Sequence, residues 1–289
     1  MQKKQIALIA IIGGIVIFLI KLAAYFVSNS VALLSDALES IVNIAASGLM
    51  FFSIWVSEKP ADESHNYGHQ KIEDISSMLE GIFIIIAALL IINAAAGRLF
   101  SGVLPIEINL AIGISMVATT LNGVIAWYLS KSAKKNGSAA LEGDSKHLLS
   151  DVISTAGVWV GLFIVSLTGW SIVDPLLAFI VAILIIRMGA GLVIKSSSRL
   201  MDNSCKVEEA KIREVLLRHK YQFIDFHELK TRRNGNLVFC DLHLSVDGLL
   251  SVAEAHDLTD HLENELKGEL PNANLTIHIE PKPNNSKPI

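Results

Sequence analysis

The first 200 residues are dominated by six long apolar runs, near 6–27, 31–56, 72–98, 107–130, 140–167 and 172–194. At about 1.5 Å of rise per residue, each run is long enough as a helix to cross about 30 Å of hydrocarbon. The connections 28–30 and 168–171 are short enough for tight hairpins. The connection 57–71 is polar and holds His65 and His69, whereas 131–139 is basic and has no histidine.

After residue 200 the pattern changes. Val207–His219 has the period of an amphipathic helix. Phe223–Thr231 and Leu237–Val246 read as strands, joined by a turn at Arg233-Asn234-Gly235-Asn236. Ser251–Leu266 reads as a second helix, with Ser251 as N-cap and Glu254 three residues on, a capping box. Pro271 stops the following segment, and Leu275–Ile279 gives a third strand. The predicted fold is therefore a membrane all-α bundle of six transmembrane helices over 1–200. A C-terminal cytosolic α+β domain of αββαβ order follows over 201–283, and residues 284–289 form a disordered tail.

Composition supports the membrane assignment. Of the 289 residues, 52% are hydrophobic, and the mean hydropathy is +0.49, too apolar for an ordinary soluble domain. The net charge of −4 is less informative than its distribution, sparse to about residue 200 and dense beyond. Met1 to Val27 superficially resembles a signal peptide, but its run is too long, contains Lys21 and has no small-x-small cleavage site after it, so it is predicted to be a first span. Lys3, Lys4, Lys59, Lys71, Lys131, Lys134, Lys135, Lys195 and Arg199 would share one side, with Arg98 on the other. The positive-inside rule then places both termini in the cytoplasm, and the plasma (inner) membrane of a prokaryote is the expected location. Cys205 and Cys240 form no CxxC pair, so neither a disulfide framework nor a thiolate metal site is expected.

The candidate chemistry lies inside the spans. In the second, Asp36, Glu39 and Asn43 stand three and four residues apart. In the fifth, Asp144, His147 and Asp151 repeat that spacing. Residues at i, i+3 and i+7 share one helix face, so each span carries a polar stripe. A charged side chain at bilayer depth costs at least about 2.5–3.5 kcal/mol, a cost best met if the stripes face each other around a cation. The second span runs inward and the fifth outward, so the echo is inverted, as in many secondary transporters. Glu39, Asn43, His147 and Asp151 offer two acids, an amide and an imidazole, a four-coordinate set for a borderline or hard divalent ion. Monovalent copper would want thiolates or thioethers. The plainer alternative is that such residues only tie helices together by hydrogen bonds, and for Asp36 and Asp144, nearer the span ends, the two readings stand level.

With these residues in hand, the chain resembles the cation diffusion facilitators over essentially its whole length. The six-span layout and the segment Ser35-Asp36-Ala37-Leu38-Glu39-Ser40 are similar to that family's pattern. The resemblance implies transport ligands at Glu39 and Asn43 on span two and at His147 and Asp151 on span five. The first pair departs from the family's commonest His/Asp and Asp/Asp pairs, which leaves the preferred ion open. The resemblance also implies a second metal site at Asp62, His65 and His69. In the tail it implies a dimerising, metallochaperone-like (ferredoxin-like) domain with metal ligands at His227, His243, His256, His278 and Glu280. Lys71 and Asp202 match a salt bridge that holds the membrane domains of a dimer against the tail. His219 and His261 match nothing.

The function so implied is export of a divalent cation from the cytoplasm by proton-coupled antiport in a homodimer. Zn2+ is the first choice, with Mn2+ or Fe2+ as alternatives because three of the four transport ligands are oxygens. The ion would serve as cargo and, in the tail, as regulator. His147 is the expected proton acceptor, because an imidazole titrates near neutral pH and binds metal only when unprotonated. The expected partners are a second copy of the chain, lipid and protons, with no nucleic acid. The spans carry no nucleophile motif and no HExxH pair, so neither an enzyme nor a catalytic residue is expected. A reading from another class is a metal-sensing membrane protein that does not transport.

Overall fold

The computed structural model describes the backbone of residues 2–28, 31–101, 109–170 and 172–282; within the helices, the side chains of 24–25, 27–28, 31–38, 98–101, 109–112, 162, 165–166 and 174 are excluded. Six long helices come first: α1 (Lys3–Ser28), α2 (Val31–Ser57), α3 (Ile72–Ser101), α4 (Asn109–Asn136), α5 (Ala139–Thr168) and α6 (Val173–Leu200). Two compact units divide the chain, Met1–Ser197 and Ser198–Ile289.

In the first unit, small residues set the packing. Ile6, Ala7 and Ala10 of α1 bury against Met50 and Ile54 of α2, Ala126 and Leu129 of α4, and Ala140 and Leu141 of α5. Alanine and glycine allow helix axes to approach closely where no hydrophobic drive separates protein from lipid. Large apolar side chains point outward instead, among them Leu8, Ile12, Leu19, Leu89, Leu90 and Ile183. A soluble surface would not carry such a belt, whereas a lipid-facing one does. Helices α1, α2, α3 and α6 each contain a stretch long and apolar enough to span a bilayer. Among the described residues, no such stretch falls in α4 or α5. Glu142, Asp144, Lys146, His147 and Asp151 occupy the first half of α5, and α4 runs on through Lys131, Lys134 and Lys135 to Asn136, where a basic connection was expected.

Basic residues gather at one end of this bundle. Lys3 meets Glu73 at 2.9 Å, Lys4 meets Glu58 at 2.7 Å and Lys195 meets Glu142 at 2.7 Å. Lys59 and Lys131 sit over the Trp55 and Trp127 rings at 4.5 and 5.2 Å. Tryptophan beside lysine at a helix end is the pattern of a membrane–water interface. Arg98, expected at the opposite end, lies outside the described side chains, as does Asp36.

The second unit has the order α7 (Lys206–Arg218), β1 (Asp225–Asn234), β2 (Leu237–Val246), α8 (Val252–Glu269) and β3 (Ala273–Pro281), with a short 3-10 turn at Lys220–Gln222. The sheet order is β1-β2-β3; β1 and β2 are antiparallel, and α8 returns the chain so that β3 runs parallel to β2. The hairpin is tighter than expected: Arg233 and Asn234 are strand residues, and only Gly235-Asn236 turns, with Gly235 at φ +57°. Cys240, Leu242, Leu244 and Val246 alternate into a core shared with Ile212 and Leu216 of α7 and Leu262 and Leu266 of α8. The expected capping box of α8 is present: Ser251 Oγ accepts from the Glu254 N–H, and the Glu254 carboxylate accepts from the Ser251 N–H at 2.8 Å.

Candidate metal sites

Helical spacing positions the polar side chains of the bundle. Glu39 and Asn43 stand one turn apart on α2, and His147 and Asp151 one turn apart on α5. Asn43 Nδ2 donates to Asp151 Oδ2 at 2.7 Å, which turns Asn43 Oδ1 toward His147 Nε2, 3.2 Å away. All four residues line a cavity of about 650 Å3 between α2, α3, α5 and α6, whose walls include Phe83, Leu90 and Ile185. Asn43 and His147 are buried, while Glu39 is exposed. The set offers two carboxylates, an amide oxygen and an imidazole nitrogen around one volume, so its charge and donor number suit a divalent cation. Asp144 is tied away from this group: Ser47 Oγ lies 3.1 Å from both of its carboxylate oxygens, so it joins α2 to α5.

The polar connection between α2 and α3 is ordered around Asp62. One carboxylate oxygen accepts from the Ser64 N–H (3.0 Å), the Ser64 hydroxyl (2.8 Å) and the His65 N–H (2.7 Å). The Ser64 hydroxyl first, and then the His65 N–H, hold the Asp62 carboxyl down at about 2. The other oxygen lies 3.3 Å from His69 Nε2, and the His65 and His69 rings are 4.3 Å apart. Two ligands on a tetrahedral zinc are separated by about 3.3 Å, given bond lengths of about 2.0–2.1 Å. Asp62, His65 and His69 therefore lie close enough together to hold a metal ion.

On the sheet of the second unit, His227, His243 and His278 occupy one row of three paired positions. Strand alternation turns this row away from the helices that cover the other face. Neighbouring rings are 5.3 and 4.8 Å apart. Glu280, two residues past His278, reaches His227 Nε2 at 2.9 Å and His243 Nδ1 at 3.6 Å. His227, His243 and Glu280 thus form a second group that fits a metal ion. A bulge between His227 and Lys230 sets Glu228 at φ +50° and brings its carboxylate 4.0 Å from His243. Lys230, 2.8 Å away, lowers the Glu228 carboxyl below its ordinary range. His256, expected beside this group, is on α8 with Asp260 at 3.6 Å, outside the three-residue cluster.

Residues 7–201 match the cation efflux transmembrane domain, and residues 206–282 match the cytoplasmic domain of cation efflux proteins. The chain belongs to the cation diffusion facilitator family. This cation diffusion facilitator is a multi-pass membrane protein and a cation-efflux transporter. An uncharacterized transporter of Synechocystis sp. is 39% identical to it over 264 residues, spanning 91% of this chain and 85% of that protein. The cation-efflux pump FieF of Shewanella oneidensis is 30% identical over 263 residues, spanning 91% of this chain and 88% of its own. Among solved structures, the metal-bound C-terminal domain of the CzcD transporter from Thermotoga maritima is 31% identical, covers 27% of this chain and 92% of its own, and aligns with a TM-score of 0.26.

Three features of this cation diffusion facilitator escaped the sequence reading. Glu73, at the start of α3, is 1% exposed and accepts from Lys3 Nζ at 2.9 Å, from Ser57 Oγ at 2.8 Å and from Ser138 Oγ. Glu80, two turns further along α3, is buried beside His147. His219, at the end of α7, packs edge-on against His261, with ring centroids 4.9 Å apart, and lies 3.7 Å from Glu265. The two glutamates carry a visible signal, since acids inside apolar runs are costly without a partner, but nothing in the spacing names that partner. The expected Lys71–Asp202 pair divides between the two units; within the second, Arg232 lies 3.8 Å from Asp202.

Proposed function

We propose that this transporter exports a divalent cation, Zn2+ first, from the cytoplasm in exchange for protons. The cargo binds Glu39, Asn43, His147 and Asp151. The observation that carries this reading is the joint between α2 and α5, where the Asn43 amide bridges Asp151 and His147 at the wall of a 650 Å3 cavity. His147 Nε2 is the atom that can hold either the cargo or a proton, which couples release of one to capture of the other. Three oxygen donors out of four favour Mn2+ or Fe2+ as the second choice of cargo.

In this reading the chain works as a homodimer in the prokaryotic inner membrane, with both termini cytoplasmic. Asp62, His65 and His69 would hold one further ion. His227, His243, His278 and Glu280 would hold ions in the tail, with His256 completing that set. A metal there supplies positive charge that binds these side chains together, favouring one arrangement of the tail and so biasing transport.

The test is flux into proteoliposomes loaded with a pH dye and supplied with Zn2+, Mn2+ and Fe2+ in competition. The parent is expected to take up Zn2+ most strongly, with proton movement in the opposite direction, and Glu39→Ala and Asp151→Ala are expected to abolish uptake. Wild-type uptake by those variants would refute the transport site, whereas no uptake of any of the three ions by the parent would favour a metal sensor that does not transport. A ranking with Mn2+ or Fe2+ far above Zn2+ would overturn the choice of cargo alone.

A further inference from the structure

Glu80 is fully buried, at 0% exposure, and neither carboxylate oxygen has a hydrogen-bond partner among the described residues. His147 Nδ1 is buried and likewise lacks one. The two orphaned groups face each other, with Glu80 Oε2 3.7 Å from His147 Nδ1. The other ring nitrogen, Nε2, is the one beside Asn43 Oδ1 at the cavity.

The backbone is shaped for this approach. Gly143 lies one turn before His147 on α5, where α3 passes. A Cβ there would stand 3.1 Å from Glu80 Cγ and 3.1 Å from Ser77 Cα, closer than ordinary contact. The missing side chain is what lets Glu80 come up behind the imidazole.

We infer that Glu80 is a positioning residue for the cargo site: by closing the 3.7 Å gap when cargo binds, it accepts the His147 Nδ1 proton, fixes that tautomer, and turns the Nε2 lone pair toward the transported cation. The inference rests on the transport-site reading given above. Three arguments carry it. A buried carboxylate in a membrane bundle is costly unless paired, and His147 is the facing donor. A metal-binding imidazole is commonly held by a carboxylate on its far nitrogen, which sets the ring's orientation and raises its basicity as a ligand. The Asn43 amide donates its Nδ2 proton to Asp151, so Asn43 Oδ1 can only accept from His147 Nε2; once the ring proton sits on Nδ1, Oδ1 and Nε2 become two converging acceptors, an arrangement that a shared cation satisfies.

The test uses the full-length transporter with Glu80→Leu, Glu80→Gln and Glu80→Asp, beside Glu39→Ala and Asp151→Ala. All variants are made in a background carrying His69→Ala, His227→Ala and His243→Ala, which removes the two other candidate metal groups; Zn2+ affinity is measured by competition with a chelating dye, and the tautomer by 15N-histidine spectra, with His147 assigned from its loss in His147→Asn. Glu80→Leu is expected to weaken Zn2+ binding about 10–100-fold and to mix the His147 tautomers. Glu80→Gln, which still offers an acceptor oxygen, is expected to keep the Nδ1–H tautomer and most of the affinity. Parental affinity and tautomer in Glu80→Leu would overturn the inference. If Glu80→Leu fails to fold, Glu80→Asp decides: its retracted carboxylate is expected to weaken binding several-fold, and parental values would overturn the inference. If Glu39→Ala and Asp151→Ala bind Zn2+ like the parent, the transport-site reading itself fails and takes this inference with it. If they lose binding while the Glu80 variants do not, only the role of Glu80 is wrong.

Discussion

Gly143 offers a stringent test of how the α3–α5 joint is built. Replacing a helical glycine by alanine ordinarily stabilises a helix by about 1 kcal/mol. At Gly143 the new methyl group would stand 3.1 Å from Ser77 Cα and Glu80 Cγ, and 3.3 Å from Glu80 Cβ. Carbon atoms settle at about 3.5–4.0 Å, and one of these neighbours is backbone, so the helices must part by a few tenths of an ångström. Overpacking of this kind costs about 1–3 kcal/mol, which leaves Gly143→Ala destabilised by about 0–2 kcal/mol once the helical gain is subtracted. Gly191 on α6 is the control, because a Cβ there meets nothing within 4 Å. Gly191→Ala should therefore gain up to about 1 kcal/mol. The two variants are compared by denaturant titration in mixed micelles and should differ by about 1–3 kcal/mol, Gly191→Ala being the more stable. Zn2+ affinity should also fall in Gly143→Ala, since parting the helices lengthens the Glu80–His147 contact. Equal stability of the two variants would refute the close-approach argument.

Two further outcomes are expected. The Asp62 carboxyl, held down at about 2 first by Ser64, stabilises the α2–α3 connection above the ordinary carboxylate range, and this contribution is lost as pH falls toward 2. Ser64→Ala should raise its midpoint toward the ordinary value in a carbon-13 carboxyl titration, and an unchanged midpoint would contradict the assigned cause. Burial pushes the Cys240 thiol up to about 12 and raises that of Cys205 as well, so neither should react with maleimide at pH 8 until the tail unfolds. Rapid stoichiometric labelling of the native protein would show that this core is open.

Much of the fold can be read from amino-acid order because membrane spans and capped helices are local signals. Ser251 and Glu254 announce the start of α8 within four residues, and the structure places the box there. The gathering of four polar residues at one cavity was legible for a related reason: Glu39 and Asn43 share one helix face, as do His147 and Asp151, so each pair is written in i, i+4 spacing. Glu80 does share a polar stripe with Glu73, Ser76 and Ser77 on one face of α3, but the group it faces lies on another helix, which spacing along α3 cannot name. The bulge at Glu228 was equally hidden. No glycine marks the positive φ there, and the extra residue is dictated by pairing with β2 rather than by local preference. The end of β1 was misplaced because Arg233 and Asn234 look like turn residues until Leu237 and Val238 pair with them.

The Glu73 junction has a consequence for how such a bundle can move. Its carboxylate holds the start of α3 to α1 through Lys3, to α2 through Ser57 and to the α4–α5 corner through Ser138. A motion that parts α3 from these neighbours at this end breaks three contacts to one buried charge together, and hydrogen bonds to charged groups are worth about 1.5–3 kcal/mol each. A motion that opens the opposite end leaves all three in place. Under the transport reading proposed above, Glu73 would make the two ends of the bundle unequal: one is latched, and the energy needed to lift that latch would bias which end opens first.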